Sequence, residues 1–341
     1  MAEGSPRILV IRLSAIGDVV RVLPAVHVLR DAFPDARVDW AVERKSADIL
    51  DGHPALDHVV VFERPQGAMN AARAFLRFCR DIRQTRYDMV LDFHGIGKSG
   101  MIAAFSGAAK RYGFSRPRSQ EVSYLFTNHK VKLPSSRLNR VEENLRLVEA
   151  LVPEHDWPNV AIHVREEVQE SVDRFFDEAF EGAKRVVAVH VPVDRPEKQW
   201  PAEHFAELGD LLLADGRFDV MLTWGPGQYG IIRKVLKAMR RNPVVAPETP
   251  DLKHYAWLVN RSSLYFGGDT GPMHIAAMMG TPVVAVFGGT DPAKHAPYRE
   301  PFEVLYAGGP GKPSSSPKEL FEQITPQMAY DACIRVLAKA R

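Results

Sequence analysis

The fold is decided by the opening stretch Ile8-Leu-Val-Ile-Arg-Leu-Ser-Ala-Ile-Gly-Asp18. Its first part, Ile8–Leu13, is a short run of mostly branched apolar residues, which is typical of a buried strand. Gly17 interrupts the run, and Val19–Phe33 then has the pattern of a helix. A buried strand followed closely by a helix is the repeating unit of an α/β domain with a parallel sheet.

The alternation of strand and helix continues in two series. Further strands are predicted at Arg37–Val42, Val59–Phe62 and Met89–Phe93, and then at Val186–Val191, Asp219–Trp224, Val244–Ala246, Leu264–Phe266 and Pro282–Phe287. Helices are predicted at Ala68–Thr85 and Arg140–Leu151, and then at Phe205–Ala214, Gly230–Arg241, Leu252–Asn260, Pro272–Met279 and Thr325–Lys339. The charged stretch 153–184 separates the series. We therefore expect an α/β fold with two Rossmann-like domains, residues 1–168 and 180–324, that face a central cleft.

The composition is that of an ordinary globular protein of about two domains: of 341 residues, 45% are hydrophobic and 25% charged. The 44 Lys and Arg nearly balance the 42 Asp and Glu, so the net charge of +2 argues against binding nucleic acid through bulk charge. Two cysteines exclude a disulfide framework and a cysteine-rich metal site, and they favour a reducing compartment. Neither a signal peptide nor a membrane-spanning segment is expected.

Two glycine-rich stretches match nucleotide-binding motifs only in part. Gly225-Pro-Gly-Gln-Tyr-Gly230 has the spacing of a dinucleotide fingerprint, and Glu248 lies near the distance of a ribose-binding acid. Pro226 removes a backbone donor from this turn, so a plain tight turn and a nucleotide-contacting turn of another kind both compete with an NAD-dependent dehydrogenase as the interpretation. Gly95-Ile-Gly-Lys-Ser99 lacks the first glycine of a phosphate loop because Asp92 stands there, so ATP hydrolysis is not expected.

The sequence lacks the motifs of common metal enzymes. It contains no H-E-x-x-H, C-x-x-C or D-x-D, and its twelve histidines show no ligand spacing. We expect neither a catalytic metal nor a cofactor.

The first candidate reactive group is Asp18, which follows the first predicted strand at or near the start of a helix. Its carboxylate could cap that helix. It could also act as a general base that takes a proton from an acceptor hydroxyl as a new bond forms. The spacing alone leaves both interpretations open.

A second candidate site is Phe266-Gly-Gly-Asp-Thr-Gly-Pro-Met-His274, which runs from a strand through glycines into a helix. The backbone N–H groups and the positive dipole at a helix start attract phosphates. Thr270 adds a hydroxyl, Gly271 permits close approach, and His274 lies one turn further on. Asp269 would hold the turn or bind a sugar hydroxyl. The alternative is a well-capped helix with a buried, satisfied histidine.

Several cations accompany these groups. Lys198 follows the first strand of the second series and could neutralise a diphosphate leaving group, unless it is only a solvated loop lysine. Lys98 could meet an anion near a helix start. Residues 64–118, here called the basic stretch, contain 11 Lys or Arg and 3 Asp or Glu, a net charge of 11 − 3 = +8. Its cations include Arg73, Arg77 and Arg80 on one face of a predicted helix, and Lys110, Arg111, Arg116 and Arg118 in a predicted loop.

The basic stretch has three possible roles. It could bind an anionic acceptor, bind an acidic membrane surface, or be only a solvated face. Few aromatic residues are interleaved with its charges, which makes nucleic acid a poorer candidate.

Taken together, these residues resemble the bacterial lipopolysaccharide heptosyltransferases, glycosyltransferase family 9, over nearly the whole chain. The resemblance rests on the order and spacing of short motifs: Ile8–Asp18, Leu23-Pro-Ala25, Val38–Glu43, Asp92…Gly95…Lys98-Ser99, Arg140-Val-Glu-Glu-Asn144, Lys198-Gln-Trp-Pro201, Trp224-Gly225, Asp269–His274 and Gly289-Thr-Asp-Pro292. Val38–Glu43 looks most similar to the type I enzymes, which add the first heptose to a Kdo sugar on lipid A.

The resemblance implies a GT-B architecture in which the C-terminal helix, 325–341, packs back on the first domain. It also implies an inverting, metal-independent transfer from ADP-L-glycero-D-manno-heptose. Asp18 matches the base of the family, and the donor-binding positions are matched by Lys198, Trp224, Gly225, Asp269, Thr270, Gly271 and His274. For the anionic acceptor we select Lys98, Arg73, Arg77, Arg116 and Arg118.

Two positions depart from the family pattern. Gln228 and Tyr229 stand where the family often has an acid that holds the ribose, and His94 stands where type I relatives often have Gln. We expect an inner-core heptosyltransferase in the cytoplasm, peripheral at the inner face of the inner membrane. Its partners would be ADP-heptose and Kdo-lipid A. The alternatives are a family member with another donor or acceptor, a dehydrogenase, and a non-catalytic glycan-binding relative.

Overall fold

A computed structural model describes residues 5–180, 182, 184–308 and 317–340 of the chain. The chain forms two compact units, Met1–His163 and Val164–Arg341. The division between them lies inside the charged stretch 153–184.

The first unit is built on a parallel sheet of six strands, β1 (Arg7–Ile11), β2 (Arg37–Glu43), β3 (His58–Phe62), β4 (Met89–Asp92), β5 (Lys110–Phe114) and β6 (His129–Val131). Its helices are α1 (Ile16–Val20), α2 (Leu23–Ala32), α3 (Arg44–Ala47), α4 (Ala68–Gln84), α5 (Gly97–Phe105) and α6 (Arg140–Val148). The strand order is β3-β2-β1-β4-β5-β6: the chain adds β2 and β3 on one side of β1 and then β4, β5 and β6 on the other, so the switch point lies between β1 and β4. Ligands of such sheets bind at the carboxyl ends of the strands beside this switch point.

The second unit repeats the design with β7 (Arg185–His190), β8 (Phe218–Thr223), β9 (Val244–Val245), β10 (Leu264–Gly268), β11 (Val283–Phe287) and β12 (Phe302–Tyr306). Its helices are α7 (Glu166–Ala179), α8 (Ala202–Asp215), α9 (Tyr229–Ala238), α10 (Leu252–Asn260), α11 (Gly271–Met278), α12 (Pro292–His295), α13 (Pro317–Glu322) and α14 (Pro326–Lys339). The order β12-β11-β10-β7-β8-β9 places the switch point between β7 and β10.

Burial explains why the central strands could be read from the sequence. The residues Ile8–Ile11 of β1 and Val283–Phe287 of β11 are fully buried, as in strands whose two faces are both covered. Such strands appear as continuous apolar runs. The predicted α/β class with two Rossmann-like units is therefore confirmed.

Some elements differ from their prediction. The helix predicted at Val19–Phe33 is divided into α1 and α2, because Pro24 lies in the first turn of α2 and starts a new helix there. Lys110 and Arg111 lie in β5 and not in a loop. The elements that were not predicted are β5, β6, β12, α3, α5, α7, α12 and α13. Two of these strands lack an apolar run, since β5 begins with two cations and β6 has three residues with two exposed.

The helix α14 packs within the second unit. It contacts α8, β11 and β12, and its buried face includes Ala329, Cys333 and Val336 in the core of that unit. The second unit as found thus includes the C-terminal helix. The packing of 325–341 on the first domain, which the family resemblance implies, stays a prediction.

Candidate active site

Asp18 lies in the first turn of α1, just beyond the carboxyl end of β1. Its carboxylate pairs with the guanidinium groups of Arg12 and Arg21, and 30% of its side chain is exposed. The residue before α1 is Ala15, so Asp18 is not the cap of that helix. The two buried arginines hold the carboxylate in one place while leaving part of it open to a ligand.

Arg12 connects Asp18 to the neighbouring strand. Its Nη1 donates to the carbonyl of Phe93, 3.0 Å away at the end of β4, and its own carbonyl accepts from Trp40 Nε1 at 3.2 Å. Burial lowers the pKa of Arg12, and the charge of Asp18 opposes that effect. The ion pair with Asp18 therefore compensates a cation that has lost its water.

The loop after β4 is organised around the fully buried Asp92. Its carboxylate accepts from the backbone N–H groups of His94 and Gly95, both at 3.0 Å, and from the hydroxyls of Ser99 at 2.9 Å and Ser123 at 3.2 Å. A phosphate loop offers backbone amides and a hydroxyl of this kind to its nucleotide. Here the carboxylate of Asp92 already accepts hydrogen bonds from such groups, which agrees with the expectation that this stretch is not the phosphate loop of an ATPase.

His94 is a neutral imidazole beside this loop. Burial lowers its pKa to about 3, with the charges of Arg12, Arg118 and Lys98 acting in the same direction and Asp18 opposing them. Its Nδ1 accepts from the backbone N–H of Leu13 at 3.3 Å, so the proton of the neutral ring is on Nε2. The ring can therefore donate a hydrogen bond to a ligand but is too weak a base to take a proton near pH 7.

Lys98 and Arg118, two of the predicted acceptor-binding residues, both lie near the loop after β4. Lys98 Nζ pairs with Glu43 at 2.7 Å and lies 4.1 Å from the centre of the Phe62 ring. Arg118 donates to Glu143 at 2.8 Å and to the carbonyl of His94 at 3.2 Å. Much of the hydrogen-bonding capacity of Arg118 thus fixes the position of the loop.

The other three predicted acceptor-binding residues are exposed. Arg73 and Arg77 lie on the outer face of α4. Arg116 lies over the ring of Tyr124 at 4.3 Å, which leaves its charge at the surface.

The second unit brings Lys198 and Asp269 together at its own switch point. Lys198 ends a short 3₁₀ turn after β7, Asp269 follows β10, and their charged atoms are 2.6 Å apart. Burial raises the pKa of Asp269, but the hydrogen bond and charge of Lys198 and the charges of two histidines outweigh it, so the net shift is downward. Asp269 is thus an ionised carboxylate that orients a lysine.

The start of α11 lies directly after this pair. Thr270 is the residue before the helix, and its hydroxyl donates to the carbonyl of Gly268 at 3.4 Å and does not accept from a helix N–H group. Pro272 is in the first turn, and His274, one turn in, is 95% buried. A helix start with a lysine beside it is a site where an anion is stabilised.

Sequence reasoning missed a buried polar cluster under this turn. His190 Nδ1 is 2.9 Å from the Thr223 hydroxyl and 3.3 Å from the Tyr255 hydroxyl, and burial lowers the pKa of His190 to about 3. The Tyr265 hydroxyl lies close enough to Gly267 that a Cβ there would be 2.5 Å away. These residues lie on four separate elements, β7, β8, α10 and β10, so no local motif marks them.

The stretch after β8 is built differently from a dinucleotide-binding turn. The N–H group of Gly225 donates to the side chain of Gln228 at 3.0 Å, and Trp224 Nε1 donates to the carbonyl of Ala246 at 2.9 Å. β8 does not border the switch point, whereas the dinucleotide fingerprint follows a strand that does. These observations disfavour the dehydrogenase.

Within the described part of the chain, no three His, Cys, Asp or Glu side chains are grouped as they would be around a metal ion. Every helix in the same part is too short or too polar to traverse a bilayer.

Comparison with known families decides the assignment. The family model described as "Glycosyltransferase family 9 (heptosyltransferase)" matches residues 75–324. The chain belongs to glycosyltransferase family 9. This member of family 9 is therefore a glycosyltransferase, and it is related to the heptosyltransferases of lipopolysaccharide biosynthesis.

Named relatives agree with that family. Lipopolysaccharide heptosyltransferase 1 of Escherichia coli K12 is 28% identical over 84% of this chain and 89% of its own length. The glycosyl transferase family 9 structure from Veillonella parvula has a TM-score of 0.86 at 22% identity and covers 99% of both chains. The E. coli heptosyltransferase WaaC with ADP-2-deoxy-2-fluoro heptose has a TM-score of 0.75 at 23% identity, over 96% and 99%. The fold shared with these structures is GT-B.

Proposed function

We propose that this family 9 glycosyltransferase transfers L-glycero-D-manno-heptose from ADP-heptose to the Kdo region of lipid A, with inversion and without a metal. Relatives named heptosyltransferase 1 support this choice of reaction, and the solved structure of WaaC holds an ADP-heptose analogue. The enzyme would work in the cytoplasm, at the inner face of the inner membrane, where a lipid-linked acceptor is presented.

The observation that carries the proposal is the pairing of Lys198 with Asp269 at 2.6 Å beside the start of α11. The diphosphate of ADP-heptose carries two negative charges, and departure of ADP adds a third on the oxygen that leaves the sugar, so these charges need a cation or fixed dipoles to stabilise them. Lys198 supplies the cation, and the N–H groups at the start of α11 supply the dipoles. Gly271 allows the diphosphate to approach this backbone, and His274 donates from within the same turn.

The nucleoside of the donor would lie beside Trp224 and Gly225. The centre of the Trp224 ring lies 5.0 Å from that of Tyr229, with the ring planes tilted by 59°, so two aromatic rings meet at this turn. An aromatic surface suits the stacking of a nucleobase. Gln228 holds the turn in place of the acid that often binds the ribose, so a family 9 enzyme with another nucleotide sugar is the second candidate.

Asp18 would act on the acceptor. A hydroxyl becomes more acidic as its oxygen bonds to the anomeric carbon, so a carboxylate within hydrogen-bond distance can take its proton. Arg12 and Arg21 hold the carboxylate of Asp18 in a fixed orientation. Because arginine stays protonated, neither of them transfers a proton in the reaction. The neutral His94 would donate a hydrogen bond to an oxygen of the acceptor.

Cations of the first unit would hold the negative charges of the acceptor. Lys98, Arg116, Arg73 and Arg77 would contact Kdo carboxylates or lipid A phosphates. Arg118 would contribute by fixing the loop that carries His94, since it already donates to the carbonyl of that residue.

The experiment that tests the reaction is a donor screen with Kdo-lipid A as acceptor, read by mass spectrometry, with a chelator added to one arm. We expect ADP-heptose alone to extend the acceptor by one heptose, equally well in the chelator arm. Consumption of a different nucleotide sugar, or turnover of NAD(H), would refute this donor.

Replacement of Lys198 tests the role of its pairing with Asp269, on which the proposal rests. Lys198→Ala should lower kcat/KM for the donor by about 10²-fold, because the leaving diphosphate loses its cation. Lys234→Ala on the exposed face of α9 is the control and should leave it unchanged. Unchanged kinetics in a folded Lys198→Ala protein would remove Lys198 from the site.

A further inference from the structure

Exposed large apolar side chains are concentrated on one part of the first unit. Among the described residues there are ten, and six of them lie between Met69 and Leu125: Met69, Leu76, Met101, Phe105, Val122 and Leu125. Met69 is 75% exposed and Leu125 63%. Exposed apolar residues are ordinary when scattered singly, but a local concentration indicates an interaction surface.

The helix α4 carries the longest part of this surface. Its buried face packs Phe78, Cys79 and Ile82 into the core of the first unit. On the opposite side, apolar and cationic residues alternate at helical spacing: Met69, Arg73, Leu76, Arg80 and Arg83. The stripe is about 20 Å long, since each residue adds about 1.5 Å.

Two neighbouring elements continue the surface. The helix α5 contacts α4, and Arg83 donates to the carbonyl of Phe105 at its end. Met101 and Phe105 are exposed on α5 one turn apart. The turn 123–125 packs closely on α5, because a Cβ on Gly100 would lie 3.2 Å from the Cα atom of Ser123. We call α4, α5 and the turn 123–125 the α4–α5 face.

Cations surround the apolar side chains of the α4–α5 face. Arg116 and Lys130 lie over the ring of Tyr124, at 4.3 and 5.8 Å. The four arginines of α4 at positions 73, 77, 80 and 83 are exposed. The basic stretch to which they belong has a net charge of +8 in a chain whose total is +2.

We propose that the α4–α5 face docks on the surface of an anionic lipid bilayer, with its apolar side chains in the interface and its cations at the headgroup phosphates. This combination of clustered apolar side chains and surrounding cations is typical of protein surfaces that lie on membranes. A second copy of the chain fits less well, because a two-fold contact would place the same positive charges against each other.

The α4–α5 face lies close to the loop after β4, near which the acceptor is proposed to bind. Lys98 and Met101 lie one turn apart on α5, and the turn 123–125 is joined to the loop after β4 through Ser123 and Asp92. A lipid-linked acceptor would therefore meet this end of the sheet without leaving the bilayer. Lipid binding itself requires no substrate, so it can fail or succeed independently of the proposed reaction.

The test is co-sedimentation of the full-length protein with vesicles of phosphatidylcholine alone or mixed with phosphatidylglycerol. The wild type should bind the mixed vesicles more strongly. The combined variant Leu76→Gln, Met101→Gln, Phe105→Asn, Leu125→Gln should bind them about tenfold more weakly, since four apolar side chains no longer enter the interface. The control variant Tyr306→Gln, Met328→Gln changes two exposed apolar residues of the second unit and should bind as the wild type does.

Circular dichroism and the thermal midpoint would establish that the variants fold. Should the combined variant not fold, the surface pair Leu76→Gln, Arg80→Gln on α4 serves instead, with a smaller loss of binding in the same direction. Equal binding of the wild type to both kinds of vesicle, or undiminished binding of a folded variant, would overturn the proposal. So would self-association of the wild type in sedimentation velocity that the variant abolishes without a change in vesicle binding.

Discussion

At the scale of single residues, the proposed chemistry depends on two carboxylates, and their partners give them different roles. Asp18 is held by Arg12 and Arg21 and is partly open, so a ligand can reach it. Asp269 has a side chain only 10% exposed and is bonded to Lys198, so it orients the lysine and is poorly placed to act as a base itself. The sequence could identify both residue types at strand ends but not this division of roles, because the partners are distant in sequence.

Asp18→Asn should lower kcat by about 10²–10⁴-fold while the fold persists, because the amide keeps the size of the carboxylate and one acceptor oxygen for the arginines but cannot take a proton. Steady-state kinetics at saturating donor measures this, with circular dichroism as the check of folding. Near-normal turnover of the folded variant would contradict the assignment of Asp18 as the base.

The lowered pKa of His94 predicts how the free energy of unfolding changes with pH. Its pKa is about 3 in the folded protein and near 6.5 in the unfolded chain, so below pH 6.5 the unfolded state binds a proton that the folded state does not. The free energy of unfolding should therefore fall as the pH drops from about 6.5 towards 3, by up to about 1.4 kcal/mol per pH unit for this group.

His94→Gln should make that pH dependence shallower without abolishing it, since burial also lowers the pKa of His190, to about 3, and that of His27. Urea unfolding at a series of pH values gives the slope. An identical slope in the wild type and the variant would show that His94 is protonated in the folded protein.

At the scale of elements, both switch points are formed by the loops that follow neighbouring parallel strands. β1 and β4 pair with Ile11 opposite Asp92, and β7 and β10 pair with His190 opposite Gly267. The residues that follow each pair must therefore emerge side by side. This is why the sequence alone could assign Asp18, Lys198 and the 269–274 turn to strand ends. It could not predict that Asp92 fills its own loop, since that depends on hydrogen bonds within the folded turn.

Asp92→Ala should lower the free energy of unfolding by about 2–4 kcal/mol, because two backbone N–H groups and two hydroxyls lose a shared buried acceptor. Urea unfolding measures the loss. Asp92→Asn, which keeps one oxygen acceptor, should lose less. Equal losses for the two variants would contradict this explanation, because Asn keeps both the size of the side chain and one of its acceptor oxygens.

At the scale of the whole molecule, the charge is distributed unevenly although its sum is close to zero. The net charge of the basic stretch, +8, is concentrated in the first unit, where the anionic acceptor is proposed to bind. A local field of this kind attracts an oppositely charged ligand over a distance of about 10 Å at moderate salt.

Raising the ionic strength should therefore lower kcat/KM for a Kdo-bearing acceptor while kcat changes little, because salt screens the approach of the acceptor more than the bonds formed after it binds. Kinetics with a water-soluble acceptor over a range of salt concentrations measures the effect without a membrane. A kcat/KM independent of salt would contradict a steering role for the basic stretch.

The sequence by itself determined the α/β class, the two series of strands, and the chemical groups at the ends of β1, β7 and β10. It could do so because strand and helix periodicity is local, and because parallel strands bring their carboxyl ends to one edge. Only the tertiary structure decided which charges are paired, that His94 is neutral, and that α4 and α5 expose apolar side chains. Pairing and burial depend on which distant elements pack together, and no short stretch of sequence contains that information.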